Sequence, residues 1–461
     1  MSDRPEGDAP ARDEINWLGT EFELTTERLG HGGVCVGRHE GRVVFVRHAL
    51  PGERLRVRVN EDRGKGFCRA EIVEIIEASQ FRIDPVCPAG APGGGAGCCD
   101  LSHTTGSHAR QLKSQVLSEL LERIGGVQWA GEVVSLDPAA GVDPETGWRI
   151  RERLVVDARG RAGVHGYQSH SVIRRLDCAQ PVPGLLDGLD RLEGLSPGAD
   201  LVVTSGDDGI RHIAQIAGTA GPARRGGRNS RTGRRSQGGR GLVQRERAHR
   251  SGDRVAETIS GGPTVLRSVG GRTWELPVTG FWQAHRFAAA GYGDTVRSLL
   301  RDGGLPRSVV AWDLYGGAGV LAGAVLDEND DARGTARVHI VEADPQAIAS
   351  AQTTFADDHR VSVHRGSVAT SLAGLPAPDV VIADPPRAGA GREVVDQVVA
   401  AGPAMVIAVG CDPATFARDL GDYVRGGYEV VTLVGFDAFP LTHHLEAIAL
   451  LRPSTPPLAG P

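Results

Sequence analysis

The chain has 461 residues, 40% of them hydrophobic and 23% charged, with a formal net charge of -6. No apolar run is long enough to cross a bilayer and no secretory signal is visible, so the sequence predicts a cytoplasmic protein of two or three domains. Seven cysteines, an odd number at irregular spacings, argue against a disulfide framework and for reactive or ligating thiols, while the acidic balance alone argues against a nucleic-acid partner.

Residues 17 to 78 alternate short β-like runs with glycine turns. The runs are Glu21-Phe22-Glu23-Leu24, Gly32 to Gly37, Gly41 to Val46 and Leu55 to Val59, and period two with intervening turns predicts a small barrel. The stretch from His31-Gly32-Gly33 through Leu50-Pro51-Gly52-Glu53 to Ala70-Glu71-Ile72-Val73 resembles a TRAM domain, an oligonucleotide-binding barrel appended to RNA-modifying enzymes.

Residues 79 to 279 read as a mixed central domain. Cys87, the pair Cys98-Cys99 and the distant Cys178 suggest a soft-metal site. They resemble the iron-sulfur region of uridine-5 RNA methyltransferases, with Ala96 standing where one of the family's cysteines belongs. The resemblance implies either a four-iron four-sulfur cluster on Cys87, Cys98, Cys99 and Cys178, or a lost cluster with leftover buried thiols. Leu112, Val116, Leu117, Leu120, Leu121 and Ile124 recur at helical spacing and predict an amphipathic helix over 107–124, ended by Gly125-Gly126. Short mixed strands follow over 148–219 and 264–278. Between them an Arg/Gly-rich insertion at 221–254, with arginines from Arg224 to Arg254, predicts disorder and either phosphate contacts or a passive loop. Only Lys65 and Lys113 are lysines among 51 basic residues. That bias, with 64 glycines, reads as compositional drift and weakens the case for any single arginine.

From residue 280 to 453 apolar strands alternate with helices, which predicts a Rossmann-like doubly wound sheet with ligands at the strand C-termini. The fold expected is therefore multidomain α/β: an OB-like β-barrel, a mixed central domain and a nucleotide-cofactor domain. The glycine turn after Asp313, with Gly316 and Gly319, lets backbone approach a cofactor, and Glu342 at the end of the next strand is placed for ribose hydroxyls. Val406 to Gly410 deliver Cys411 to a strand end before Asp412-Pro413.

The motifs Phe281-Trp282-Gln283, Asp313 to Gly319, Glu342, Asp384-Pro385-Pro386-Arg387, Gly410 to Asp419 and Phe439 to Glu446 occur in the order that resembles class I S-adenosylmethionine-dependent RNA uracil-C5 methyltransferases. The resemblance implies that Gln283, Tyr315, Glu342 and Asp384 hold S-adenosylmethionine, that Cys411 is the nucleophile and that Glu446 is the proton acceptor. A thiolate adding to C6 of uracil turns C5 into a nucleophile, and a base must afterwards take the C5 proton. Phe281 or Phe439 is a candidate to stack on a base swung out of the RNA. Val320, His285 and Ser367 depart from the family's residues near the cofactor. The implied partner is RNA, ribosomal ahead of transfer, with no membrane and no obligate protein partner. Two alternatives are an RNA-binding protein with impaired catalysis and an S-adenosylmethionine-dependent amino-group methyltransferase, which needs no thiol.

Overall fold

A computed structural model of the chain describes residues 16–64, 66–136, 145–218, 256–304 and 307–454. The Arg-rich insertion expected at 221–254 lies outside the described residues. Among the described residues no helix is long and apolar enough to cross a membrane.

Five strands, β1 (Glu21–Gly30), β2 (Val34–His39), β3 (Arg42–Arg47), β4 (Arg54–Asp62) and β5 (Phe67–Glu77), close into a barrel in the order β1-β2-β3-β5-β4. Period two explains the closure. Along β4, Leu55, Val57 and Val59 point into the core while Arg54, Arg56 and Arg58 face water. Arg82 grips the fully buried Glu53 through both carboxylate oxygens, at 2.5 and 2.7 Å, and so ties the barrel to the segment that follows.

That segment leads into helix α1 (Gly106–Leu120), whose last turn widens into a π-helical turn, Leu121–Gly125, before Gly126 ends it in the left-handed region at φ 68°. A short strand β6 (Val133–Ser135) follows. The central strands β7 (Arg151–Val156), β8 (Ala162–His165), β9 (Val172–Ile173), β10 (Asp200–Ser205), β11 (Arg211–Ile216) and β12 (Ala256–Ser260) form one sheet in the order β12-β11-β10-β7-β8-β9. Strands β13 (Thr264–Val269) and β14 (Arg272–Pro277) make a separate hairpin.

The C-terminal unit interleaves helices α2 (Ala288–Asp302), α3 (Val320–Asp331), α4 (Pro345–Thr354), α5 (Val368–Ser371), α6 (Arg392–Ala401) and α7 (Pro413–Arg425) with seven strands. The strands are β15 (Ser308–Leu314), β16 (Thr335–Glu342), β17 (Val361–Arg365), β18 (Val380–Ala383), β19 (Met405–Gly410), β20 (Tyr428–Asp437) and β21 (Glu446–Pro453). With β6 they form an eight-stranded sheet in the order β17-β16-β15-β18-β19-β21-β20-β6. Both faces are covered, and the strand residues divide between two cores at period two. Val406 and Ala408 of β19 face the core shared with α1, whereas Met405, Ile407 and Val409 face the core shared with α2 and α3.

Three pieces that the sequence places in the central stretch pack into this unit instead. Leu112, Leu117 and Leu121 of the α1 segment join the core under α7, β6 pairs in parallel with β20, and Trp274 and Leu276 of the β13-β14 hairpin join the core beside α3. Their apolar faces carry no information about which neighbour will cover them; the covering sheet is assembled from residues that come much later in the chain.

Among the polar contacts that cross this packing is a buried ion pair. Lys113, only 1% exposed, donates to Asp437 Oδ1 at 2.5 Å and to the Phe439 carbonyl at 3.2 Å. Removing one partner of such a pair strands a charge in a low dielectric. Replacing Lys113 by Met is expected to cost about 3–5 kcal/mol in denaturant unfolding, and adding Asp437→Leu to recover most of that loss, because the orphaned carboxylate goes with it. A double variant no more stable than Lys113→Met contradicts this account.

Candidate functional site

Parallel register brings the C-terminal ends of four strands to one edge of the sheet. Leu314 pairs with Val341 on one side and Ala383 on the other, and Ala383 pairs with Ala408. Asp313, Glu342, Asp384 and Cys411 therefore leave their strands at the same end. The antiparallel strand β21 starts at that edge. Gly410 pairs with Ala447, so the next step outward sets Cys411 against Glu446.

The glycine turn after β15 is built for close approach. A side chain at Gly316 would meet Asp313 Cγ at 2.7 Å, and one at Gly319, with φ at +84°, would meet the Phe355 ring at 2.7 Å. Tyr315 itself sits at φ +60°, a conformation rare for a residue with a side chain. Glu342 fixes the turn from the neighbouring strand: Oε2 accepts from the Gly317 N–H at 3.0 Å, and Oε1 accepts from Ala343 and Asp344 at 2.6 and 2.7 Å. Asp313 is fully buried; its Oδ2 accepts from the Ala322 N–H at 3.0 Å while Oδ1 has no partner. Burial, with the charges of Asp384 and Glu342, pushes Asp313 up to about 7. Gln283 stands half-buried beside the buried Trp282, whereas Phe281 is 71% exposed.

Cys411 lies between β19 and α7. Asp412 caps that helix, its Oδ1 accepting from the Ala414 and Thr415 N–H groups at 3.1 and 3.0 Å. Its other oxygen meets His31 Nε2 of the barrel at 3.4 Å. Burial and the charges of Glu446 and Asp384 raise the Cys411 thiol to about 12, against which Arg387 pulls it down. Glu446, 3% exposed, is raised well above the ordinary carboxyl value by burial and then by Asp384, with Arg387 and Tyr292 opposing. Asp384, half-buried, is raised to about 7 by withdrawal from water and by Glu342. A thiol and two carboxyls that all favour their protonated forms share one recess.

The loop between β20 and β21 carries Phe439 and the two histidines. Phe439 packs edge-on against Trp148 and His444, with centroids 6.2 and 5.9 Å apart. His285 is buried and stacked on Trp148 at 5.5 Å. His443 Nδ1 lies 2.6 Å from Asp100 Oδ2, and Arg47 of the barrel reaches the other Asp100 oxygen at 3.5 Å. Ser367 caps a short exposed turn, with its hydroxyl 2.9 Å from that of Thr370. Sequence reasoning missed Tyr292, a fully enclosed side chain on α2 that faces Glu446 and feels the charges of Glu446, Asp384 and Cys411. A lone tyrosine in the apolar stripe of an expected helix was the one available signal.

The thiols expected to hold a four-iron cluster are only partly brought together. The sulfurs of Cys87, Cys99 and Cys178 lie within 4.8 Å of one another, and Cys98 is outside that group. Ala96 is buried in the same cluster of side chains. Three sulfurs so close together do not fit a cluster in which each thiolate binds a different iron.

A family model described as the TRAM domain matches residues 18–73, and one described as tRNA (uracil-5-)-methyltransferase matches residues 376–453. An RNA methyltransferase of Corynebacterium glutamicum is 37% identical over 429 residues, covering 92% of this chain and 94% of its own. Another, of Corynebacterium diphtheriae, is 38% identical over 447 residues, covering 94% and 97%. Among solved structures, the Pyrococcus abyssi tRNA (uracil-54, C5)-methyltransferase in complex with S-adenosyl-L-homocysteine superposes with a TM-score of 0.64 at 19% identity, covering 93% of this chain and 100% of that one. At that identity the likeness is one of fold.

The raised carboxyl of Asp384 has a measurable consequence. Folded, it keeps its proton up to about 7, whereas an ordinary aspartate releases it near 3.8. Across that window the folded state binds more protons than the unfolded state, so stability falls as pH rises. Asp384→Asn removes this term. Its melting temperature is expected to exceed that of the wild type at pH 8 and to converge on it toward pH 4; a constant offset between the two curves contradicts the assignment.

Proposed function

The chain belongs to the TRAM-domain-containing RNA (uracil-C5) methyltransferases, and from that membership we propose that it transfers a methyl group from S-adenosylmethionine to C5 of a uridine in ribosomal or transfer RNA through a covalent adduct on Cys411. The observation that carries the reading is the pairing of Gly410 with Ala447 across β19 and β21, which brings the adjoining Cys411 and Glu446 to one end of the sheet, near enough for the Glu446 charge to raise the thiol.

The residues present fit the cofactor. Glu342 presents a carboxylate at the end of β16, Gly316 and Gly319 of the turn have no room for a side chain, and Asp313 Oδ1 is a buried acceptor without a partner. Asp384, Tyr315 and Gln283 complete the proposed binding set. S-adenosylmethionine supplies an electrophilic methyl on a cationic sulfonium, and a recess lined by Asp313, Asp384 and Glu342 suits that positive charge.

Cys411, as thiolate, would form a bond to C6 and open the C5–C6 double bond, so that C5 could take the methyl that bound S-adenosylmethionine supplies as its S–CH3 bond breaks, with S-adenosylhomocysteine as the leaving group. Glu446 then takes the C5 proton, the double bond re-forms and Cys411 leaves. Burial suits Glu446 to that step, since a carboxylate with raised proton affinity is the stronger base. Cys411 is a thiol near neutral pH in the free protein. Arg387 and the N-terminus of α7 are the features that favour its anion when substrate arrives. The exposed ring of Phe281 offers a face on which a flipped base stacks, while Phe439 is engaged by Trp148. An amino-group methyltransferase has no use for a thiol set against a buried acid.

Glu446→Gln is expected to methylate once and then accumulate bound to its RNA, visible as a slow-migrating band on denaturing gels, with turnover reduced by ~10²–10⁴-fold. Cys411→Ala should form no such band and no 5-methyluridine. Normal turnover by Glu446→Gln removes that residue from the role of base, and C5 methylation by Cys411→Ala removes the covalent route. Mapping 5-methyluridine in ribosomal and transfer RNA from cells lacking the gene assigns the substrate.

The wild-type rate has a further signature. Because Glu446 acts as carboxylate and its pKa is raised, the acid limb of kcat against pH should lie well above the ordinary value of 4.5. A limb at or below 4.5 contradicts Glu446 as the base.

A further inference from the structure

The thiol group has features that leftover cysteines do not explain. Cys87 and Cys99 have no solvent exposure, Cys178 is half-buried, and the three come from separate stretches of chain. Donors converge on their sulfurs: Gln180 Nε2 on Cys99 at 3.2 Å, the Gly90 and Ala179 N–H groups on Cys87, and the Gln180 N–H on Cys178. Such bonds gain most strength when sulfur carries negative charge, and they are the contacts that commonly surround metal-bound thiolates. The donors are neutral, so several sulfur anions in this enclosed space need a cation among them.

Spacing decides how many metal ions the group takes. Thiolates at about 2.3 Å from one tetrahedral ion stand ~3.8 Å apart. That edge falls inside the 4.8 Å within which the three sulfurs lie. In a four-iron cluster the sulfurs are spread by an iron–iron edge as well as two iron–sulfur bonds. Gly90 packs directly against this group, since a Cβ there would come within 2.5 Å of Cys99 Cβ.

We propose that Cys87, Cys99 and Cys178 bind a single zinc ion, with water or the adjacent Cys98 in the fourth position. Thiolate ligands select zinc among the common divalent ions, and binding releases the three thiol protons to solvent. The ion has a structural role. Leu441 of the β20-β21 loop packs against Cys87 and Cys99, its carbonyl accepts from the Leu101 N–H at 3.0 Å, and Asp100, next to Cys99, holds His443. Zinc thereby braces the loop that leads to Glu446.

The test uses the whole protein, produced in zinc-replete medium. Elemental analysis is expected to give about one zinc per chain with no stoichiometric iron. Cobalt(II) put in its place should give sulfur-to-cobalt charge-transfer absorption and the visible bands of a tetrahedral thiolate site. Cys99→Ser and Cys178→Ser should lose the ion, while Cys68→Ala, in the barrel, should keep it. Iron with acid-labile sulfide overturns the proposal in favour of a cluster. Wild-type protein that binds neither zinc nor cobalt overturns it, as does a mass lower by two hydrogens that marks a disulfide among the three. Metal content is read without reference to methyl transfer, so failure of the Cys411 and Glu446 roles leaves this result intact, and the reverse holds too.

Discussion

The buried carboxyl of Glu446 is held in one place, yet the eight residues that lead to it from β20 have no regular structure. Their rigidity is imported. Lys113 anchors the start of the loop at Asp437 and Phe439, and Asp100 grips His443 further along. Asp100 also receives Arg47 from the barrel, so barrel, thiol segment and β20-β21 loop meet at one carboxylate. Leu441, at φ +66°, shows how tightly the loop is wound between these two anchors.

Around this brace the electrostatics of the recess follow from burial. Asp313, Asp384 and Glu446 all hold protons more strongly than ordinary carboxyls because water is withdrawn and because each faces other acids. Crowding acids at the strand ends costs folding stability above neutral pH, and the same crowding creates a binding place for a cationic group. Only Arg387 among the charges acting on Cys411 opposes the trend, from an exposed position beside the double proline.

Much of this was legible in the sequence, and for identifiable reasons. Strand ends and glycine turns are local, so Asp313, Gly316, Gly319, Glu342 and Asp384 could be placed from the pattern of apolar runs alone. The alternation in β4 likewise betrays a barrel. What the sequence withheld is long-range. Nothing near Lys113 announces Asp437, nothing near Asp100 announces His443, and the cysteine spacing does not say that Cys87, Cys99 and Cys178 are the three that converge. Helix α1 was visible as a helix, but its partner was not, because an apolar stripe fits any apolar groove.

The seam between α1, β6 and β20 constrains how the chain is made. Lys113 and Asp437 are separated by 324 positions, and among the described residues β6 pairs with β20 alone. During synthesis the stripe of α1 emerges long before anything exists to cover it, and the edge of the sheet cannot be completed until the ribosome has nearly finished. High contact order of this kind makes assembly slow and leaves apolar surface exposed meanwhile. A nascent chain that stops short of Asp437 therefore carries a committed barrel beside a helix with no home, a state that calls for a holding chaperone or ends in proteolysis.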